Sequence, residues 1–220
     1  MNRDAFRVFL CLALVLPAAL AAGAESEFLP IDDDEEYRVI AAVLFPAKPE
    51  IPEAIKNDPR QHALYWERRP HLDGLDLGSA FMTLQETTAQ GQKIAPRADG
   101  SGTAIIEDFN RKNEQPARLV PERLRAHLPK EQRVQLITRQ EMSALFRTGG
   151  GWEEHHRRFP FAGGIKTVSR VGFDPSRTQA VVFIRHQADY EMGIGYRIYL
   201  EKSAANGQWF VTGSDLTYRS

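Results

Sequence analysis

The sequence predicts an α+β domain, with helices packed on one face of a C-terminal antiparallel meander of four or slightly more strands. Three observations predict it. Helical signals dominate the chain up to about residue 159. Four strand-like runs fill the rest, and short connections, with turn sequences at Asp174-Pro175-Ser176-Arg177 and Ala204-Ala205-Asn206-Gly207, join them in succession.

The first segment is not part of that domain. Arg3 and Arg7 flank a charged start, Val8 to Leu16 is unbroken apolar chain, and Ala22-Gly23-Ala24 has the small-x-small pattern that signal peptidase reads. Residues 1–24 are therefore expected to be a secretory signal peptide, cut before Glu25. The apolar run is far short of the ~20 residues a membrane span needs. The expected location is the periplasm or the medium, with no transmembrane segment after cleavage. The single cysteine, Cys11, lies inside the signal, so the mature chain has no thiol for a disulfide, a metal or a nucleophile.

Residues 25–36 form an acidic N-terminal segment, with Glu25, Glu27, Asp32, Asp33, Asp34, Glu35 and Glu36 and no basic residue. The whole chain carries a net charge of −1, so this segment leaves a mildly basic body. The plain reading is a solvated tail leading into a helix N-terminus, which favours negative charge. The sharper reading is a body that meets an anionic surface.

Residues 37–220 are expected to be one domain. Asp32 to Leu44 reads as a helix, capped by Asp32 or Asp33, with Val39, Ile40, Val43 and Leu44 as its apolar stripe. Residues 46–78 hold Pro46, Pro49, Pro52, Pro59 and Pro70 with little periodicity, and read as an irregular excursion. Ala80 to Thr87 alternates as a strand. Thr103 caps a helix reaching Lys112, and Pro121 opens a short helix over Glu122 to Leu128. Arg133 to Thr138 is a strand, followed by the capping box Thr138-Arg139-Gln140-Glu141. Gly149 to Gly151 breaks the chain before a helix from Trp152 to Phe159. Four strands are expected at Ile165–Phe173, Thr178–Gln187, Gly195–Lys202 and Gln208–Tyr218. The second is apolar on both faces and is placed at the centre of the sheet, with Phe183 and Trp209 buried.

Several short blocks recur in a fixed order: Asp108-Phe109 to Asn113-Glu114-Gln115-Pro116, Ser169-Arg170-Val171-Gly172-Phe173, Thr178 to Phe183, Gly195-Tyr196, Leu200-Glu201-Lys202 and Gly207-Gln208-Trp209. In these blocks the chain resembles a family of uncharacterised exported bacterial proteins with the pattern SRVGF, TQALVYV, GYYVLLEK and GKW. The resemblance spans about residues 103–220, with a looser match at Tyr37–Val43, and implies no activity. Many members of that family carry a CGGLCG hairpin where this chain has Ala188-Asp189-Tyr190-Glu191-Met192-Gly193.

Candidate chemistry is sparse. The cluster Trp152 to Arg158 offers His155 or His156 as a metal ligand, with His186, Asp189 or Glu191 as distant partners. No HExxH-type spacing accompanies them. A structural reading explains the cluster better: Glu153–Arg157 and Glu154–Arg158 are i,i+4 pairs, and Trp152, His156 and Phe159 share a buried stripe. His156, His186 and Glu191 remain the candidate catalytic residues; Asp189, Tyr190 and Arg170 are the candidate binding residues. The glycine of Ser169 to Phe173 is read as permitting close packing or a bulge. There is no Gly-x-Ser-x-Gly, and the basic residues are too scattered for nucleic acid. The expectation is an exported non-catalytic binding module of the bacterial envelope, without metal or cofactor, whose partner is an envelope protein, a glycan or a small ligand. The alternative is a hydrolase or metal-dependent enzyme with a site assembled from His155 or His156, His186 and Glu191.

Overall fold

One mixed sheet organises the computed structural model, which describes residues 28–46, 72, 75, 77–95, 102–147 and 150–220. The signal segment and most of the 46–78 excursion lie outside the described residues. In chain order the elements are α1 (Asp34–Leu44), β1 (Phe81–Gln85), α2 (Thr103–Lys112), α3 (Pro121–Arg125), β2 (Arg133–Ile137), α4 (Arg139–Arg147), α5 (Trp152–Arg158), β3 (Ile165–Val168), β4 (Gly172–Phe173), β5 (Gln179–Gln187), β6 (Gly193–Lys202) and β7 (Trp209–Arg219).

The seven strands run in the order β2-β1-β3-β5-β6-β7, with β4 also pairing β5. β1 is parallel to both β2 and β3, whereas β3, β5, β6 and β7 pair antiparallel. The purely antiparallel four-stranded meander is therefore wrong. Its C-terminal portion exists, but β1 and β2 extend the sheet. The reason lies in the connections. β1 reaches β2 through α2 and α3, and β2 reaches β3 through α4 and α5. Parallel neighbours need such long crossovers, and short turns cannot supply them. The expected strand Ile165–Phe173 also divides into β3 and β4 around Ser169-Arg170-Val171.

Helices cover both faces rather than one. Strand alternation sends Val182, Ile184, Ile198 and Leu200 into one cluster with Tyr37, Val39, Ile40, Val43 and Leu44 of α1. Val181 and Phe183 point the other way, onto Ile105, Ile106 and Phe109 of α2. Farther along that second face, Ile137 and Ile165 pack with Trp152, Met142, Phe146 and Phe159 around α4 and α5. β5 sits inside the sheet, and Phe183 and Trp209 are both buried. Leu75, from the end of the excursion, is fully buried in the α1 cluster.

The acidic run at α1 is not a solvated tail where it is described. Asp33 caps the helix by accepting from Glu35 N at 3.0 Å, and both its oxygens accept from Arg177. Asp34 meets His127 at 3.0 Å, and Glu35 meets Lys202 and Trp209 Nε1, each at 2.8 Å. Glu36 is fully buried and takes a bidentate bond from Arg170 at 2.8 and 2.6 Å. Four consecutive carboxylates thus fasten α1 to four different parts of the fold.

Candidate functional site

The sequence blocks behind the family resemblance converge on that fastening. Asn113 Oδ1 accepts from Arg170 N, and its amide donates to the Arg170 and Phe109 carbonyls. Asp108 accepts from Phe173 N at 2.9 Å. Ser169 Oγ accepts from Phe183 N at 2.8 Å, filling the gap between β3 and β4. A Cβ at Gly172 would stand 2.5 Å from Phe109 Cβ, so only glycine lets α2 lie this close to β4. Lys112 Nζ approaches both Glu36 and Asp108, at 3.3 and 3.0 Å. Arg170, a candidate binding residue, is consumed here as the partner of Glu36.

The histidines do not form one site. On α5 the inward residue is His155, fully buried, while His156 is exposed, the reverse of the expected stripe. Thr83 Oγ1 donates its only proton to Gly164 O at 2.6 Å, so at 3.2 Å it accepts from His155 Nε2–H. That fixes the tautomer and leaves Nδ1 as a bare acceptor, without a hydrogen-bond partner among the described residues. Burial lowers the His155 pKa to about 4, with the neighbouring His156 acting in the same direction. His186 lies on the opposite face of the sheet, in register with Lys166, and is also buried. Asp189, Tyr190 and Glu191 are exposed at the β5–β6 tip. Among the described residues no three His, Cys, Asp or Glu side chains are placed to hold one metal ion. The pairing expected at α5 changes too: Glu154 takes both Arg157 and Arg158, which holds its carboxyl down to about 2, and Glu153 is exposed.

Among the described residues, the face shared by α2 and α5 has room for a ligand. α2 covers the Val181 and Phe183 positions, and α5 covers the level of Ile165. Between them lies a cleft of about 550 Å³. Its floor is one transverse row of cross-strand neighbours. Thr167 of β3 is in register with Arg185 of β5, Arg185 with Gly195 of β6, and Gly195 with Tyr218 of β7. Gln85 of β1 completes the row by accepting from Thr167 Oγ1 at 3.1 Å. Its amide then donates to Thr87 Oγ1 at 3.0 Å, so both ends of the Gln85 side chain are oriented.

Gly195 shapes the floor. A Cβ there would fall 2.6 Å from Tyr218 Cδ1 and Cε1 and 3.1 Å from Phe183 Cε2. The Tyr218 ring thus lies across β6 in space that any other residue would fill. Burial pushes the Tyr218 phenol above its ordinary pKa, and the nearby Arg185 charge works in the opposite sense. Arg139 and Phe28 stand at the rim, with the guanidinium 5.5 Å from the ring centre. Among the described residues, the side chains lining the cleft include no carboxylate, imidazole or thiol. They are glutamines, threonines and arginines around aromatic rings, a set that binds by hydrogen bonding and charge.

Comparison of the chain with known protein families, curated proteins and solved structures finds no match.

Sequence reasoning missed this cleft. One signal was present: Arg185 closes the apolar run of a central strand, on the same face as Phe183. A cation in the middle of a covered sheet needs either a carboxylate or an opening to solvent.

Proposed function

We propose that the protein is an exported, non-catalytic binding module of the bacterial envelope, and that its ligand is a small molecule seated in the cleft on the α2–α5 face. The cleft floor carries this reading. It is preformed, because Gln85 and Thr167 are hydrogen-bonded in place, and its polar groups converge on one volume of ligand size. Its lining offers binding groups without a nucleophile and base side by side. Export rests on the charged start, apolar run and small-residue exit of residues 1–24.

The test is a ligand-observed NMR screen of small polar compounds against the purified protein and against Thr217→Trp. Thr217 is exposed on the edge strand β7 and lines the cleft, so tryptophan there fills the cleft without entering the core. Hits should vanish in the variant. Hits that survive it, or that are chemically converted, would overturn the reading. N-terminal sequencing of the native protein should begin at or near Glu25; an intact Met1 in a cytoplasmic fraction would overturn export.

A further inference from the structure

We propose that the cleft's ligand is a small polyhydroxylated oxyanion, a sugar acid or a sugar phosphate, whose anionic group is held by Arg185. The inference rests on the binding-module reading and adds the ligand's charge and the residue that reads it.

Four cations of the described fold have a carboxylate partner inside it. Arg170 has Glu36, Arg177 has Asp33, Lys202 has Glu35 and Arg197 has Asp215. Arg185 has no ion-pair or hydrogen-bond partner among the described residues. Its neighbours in register and on the same face of its own strand are neutral. Thr167 and Gly195 flank it in register, Phe183 and Gln187 flank it on the same face of its own strand, and Tyr218 stands beyond Gly195. It is also not a freely solvated surface arginine. It is half-buried on an inner strand, between the two helical covers of that face. A guanidinium is a planar fork of N–H donors, which matches two oxygens of a carboxylate or phosphate.

The rest of the cleft sets the remainder of the ligand. Gln85 spends its carbonyl on Thr167 and one N–H on Thr87, which leaves its second amide N–H. Thr87 accepts that bond and keeps its own hydroxyl proton. These groups sit in the same row or beside it, so they face the hydroxyls of a ligand already anchored on Arg185. The Phe183 and Tyr218 rings give a flat apolar wall, the complement of a sugar ring's C–H face. Among the described residues no lining carboxylate repels an anion.

The experiment titrates the purified protein with glucose, glucuronate and glucose 6-phosphate, following the Arg185 Nε–H and the Tyr218 ring by NMR. At least one charged sugar should bind about tenfold or more tightly than glucose, with both signals moving, and added salt should weaken it. The preference between the two charged sugars separates carboxylate from phosphate. Arg185→Gln should bring the charged sugars to the level of glucose, and Arg185→Lys should restore part of the difference. Charged sugars that bind no better than glucose, or that leave the Arg185 signal unmoved at millimolar concentration, overturn the inference whether or not the variants fold. If neutral compounds then bind and Thr217→Trp removes them, the cleft reading stands without the anion. If charged sugars bind equally to Thr217→Trp, both readings fall.

Discussion

Arg170 and Arg185 are two arginines on the C-terminal part of one sheet system, and the fold uses them in opposite ways. Arg170 lies in the gap between β3 and β4 and is gripped by the fully buried Glu36 of α1, 134 residues away in sequence. Arg185 lies near the end of β5, facing a cleft with no carboxylate among the described lining residues. The Ser169 to Phe173 motif around Arg170 is distinctive in the sequence. The structure shows that its distinctiveness serves assembly. The residue that faces open space sits in a stretch that reads as ordinary strand. Where the fold supplies the counter-charge, a charged side chain has a structural task; where it withholds one, the charge is left facing open space.

Four variants test the contrast between the two arginines. The largest effect is expected at the paired site. Glu36→Ala leaves Arg170 and Lys112 without their buried partner, which typically costs about 3–5 kcal/mol. Urea denaturation should show that loss, and a change below about 1 kcal/mol would mean the network is not what holds α1. Next comes the cleft floor. Gly195→Val forces the Tyr218 ring off β6, an overpacking that costs typically about 1–3 kcal/mol, and it should also abolish cleft ligands in the NMR screen. A stable variant with intact binding would show that the ring's place is unimportant.

The third effect is a pH slope. His155 is neutral in the fold, with its pKa lowered to about 4 from 6.5, so protonation favours the unfolded chain. Its contribution is complete above about pH 6.5 and is lost as pH falls toward 4. Carboxylates with lowered values, such as Asp108, add their own loss only below about their ordinary range. Glu86, pushed up by burial, works in the opposite sense but equally in both proteins compared. Urea midpoints between pH 7 and 5 should therefore fall more steeply for the native protein than for His155→Gln. Parallel slopes would mean that His155 is not excluded from water. The smallest effect is at the other arginine. Arg185→Gln should change stability by no more than about 0.5 kcal/mol, because it breaks no internal pair. A cost near that of Glu36→Ala would erase the contrast between the two arginines.

Local signals were legible in the sequence. The capping box at Thr138 and Glu141 forms in both directions, with bonds of 2.8 and 3.1 Å. Pro121 occupies the first turn of α3, and Asp33 caps α1. The segments of β1 and β2 were visible as strands, but not their partners, because periodicity records which face a residue takes and not which strand lies beside it. At α5 the error is one of rotation. Positions 155 and 156 both border the stripe set by Trp152 and Phe159, and the hydroxyl of Thr83, far away in sequence, decides which imidazole turns inward. The cleft was illegible for the same reason. Gln85, Thr167, Arg185 and Tyr218 form one row only after both crossovers place β1 beside β3.

The fastening of α1 also sets a timetable. A chain is synthesised from its N-terminus, so α1 emerges early, yet its carboxylates wait for Arg170, Arg177 and Lys202, and its apolar stripe waits for β5 and β6. Contacts this distant close slowly, because the intervening chain must be ordered first. Until residues 170 and 177 are made, Glu36 and Asp33 lack their partners, and until β6 is made Glu35 lacks Lys202 and the apolar stripe lacks Ile198 and Leu200. A nascent chain arrested before residue 170 would therefore present Val39, Ile40, Val43 and Leu44 to any chaperone or protease within reach.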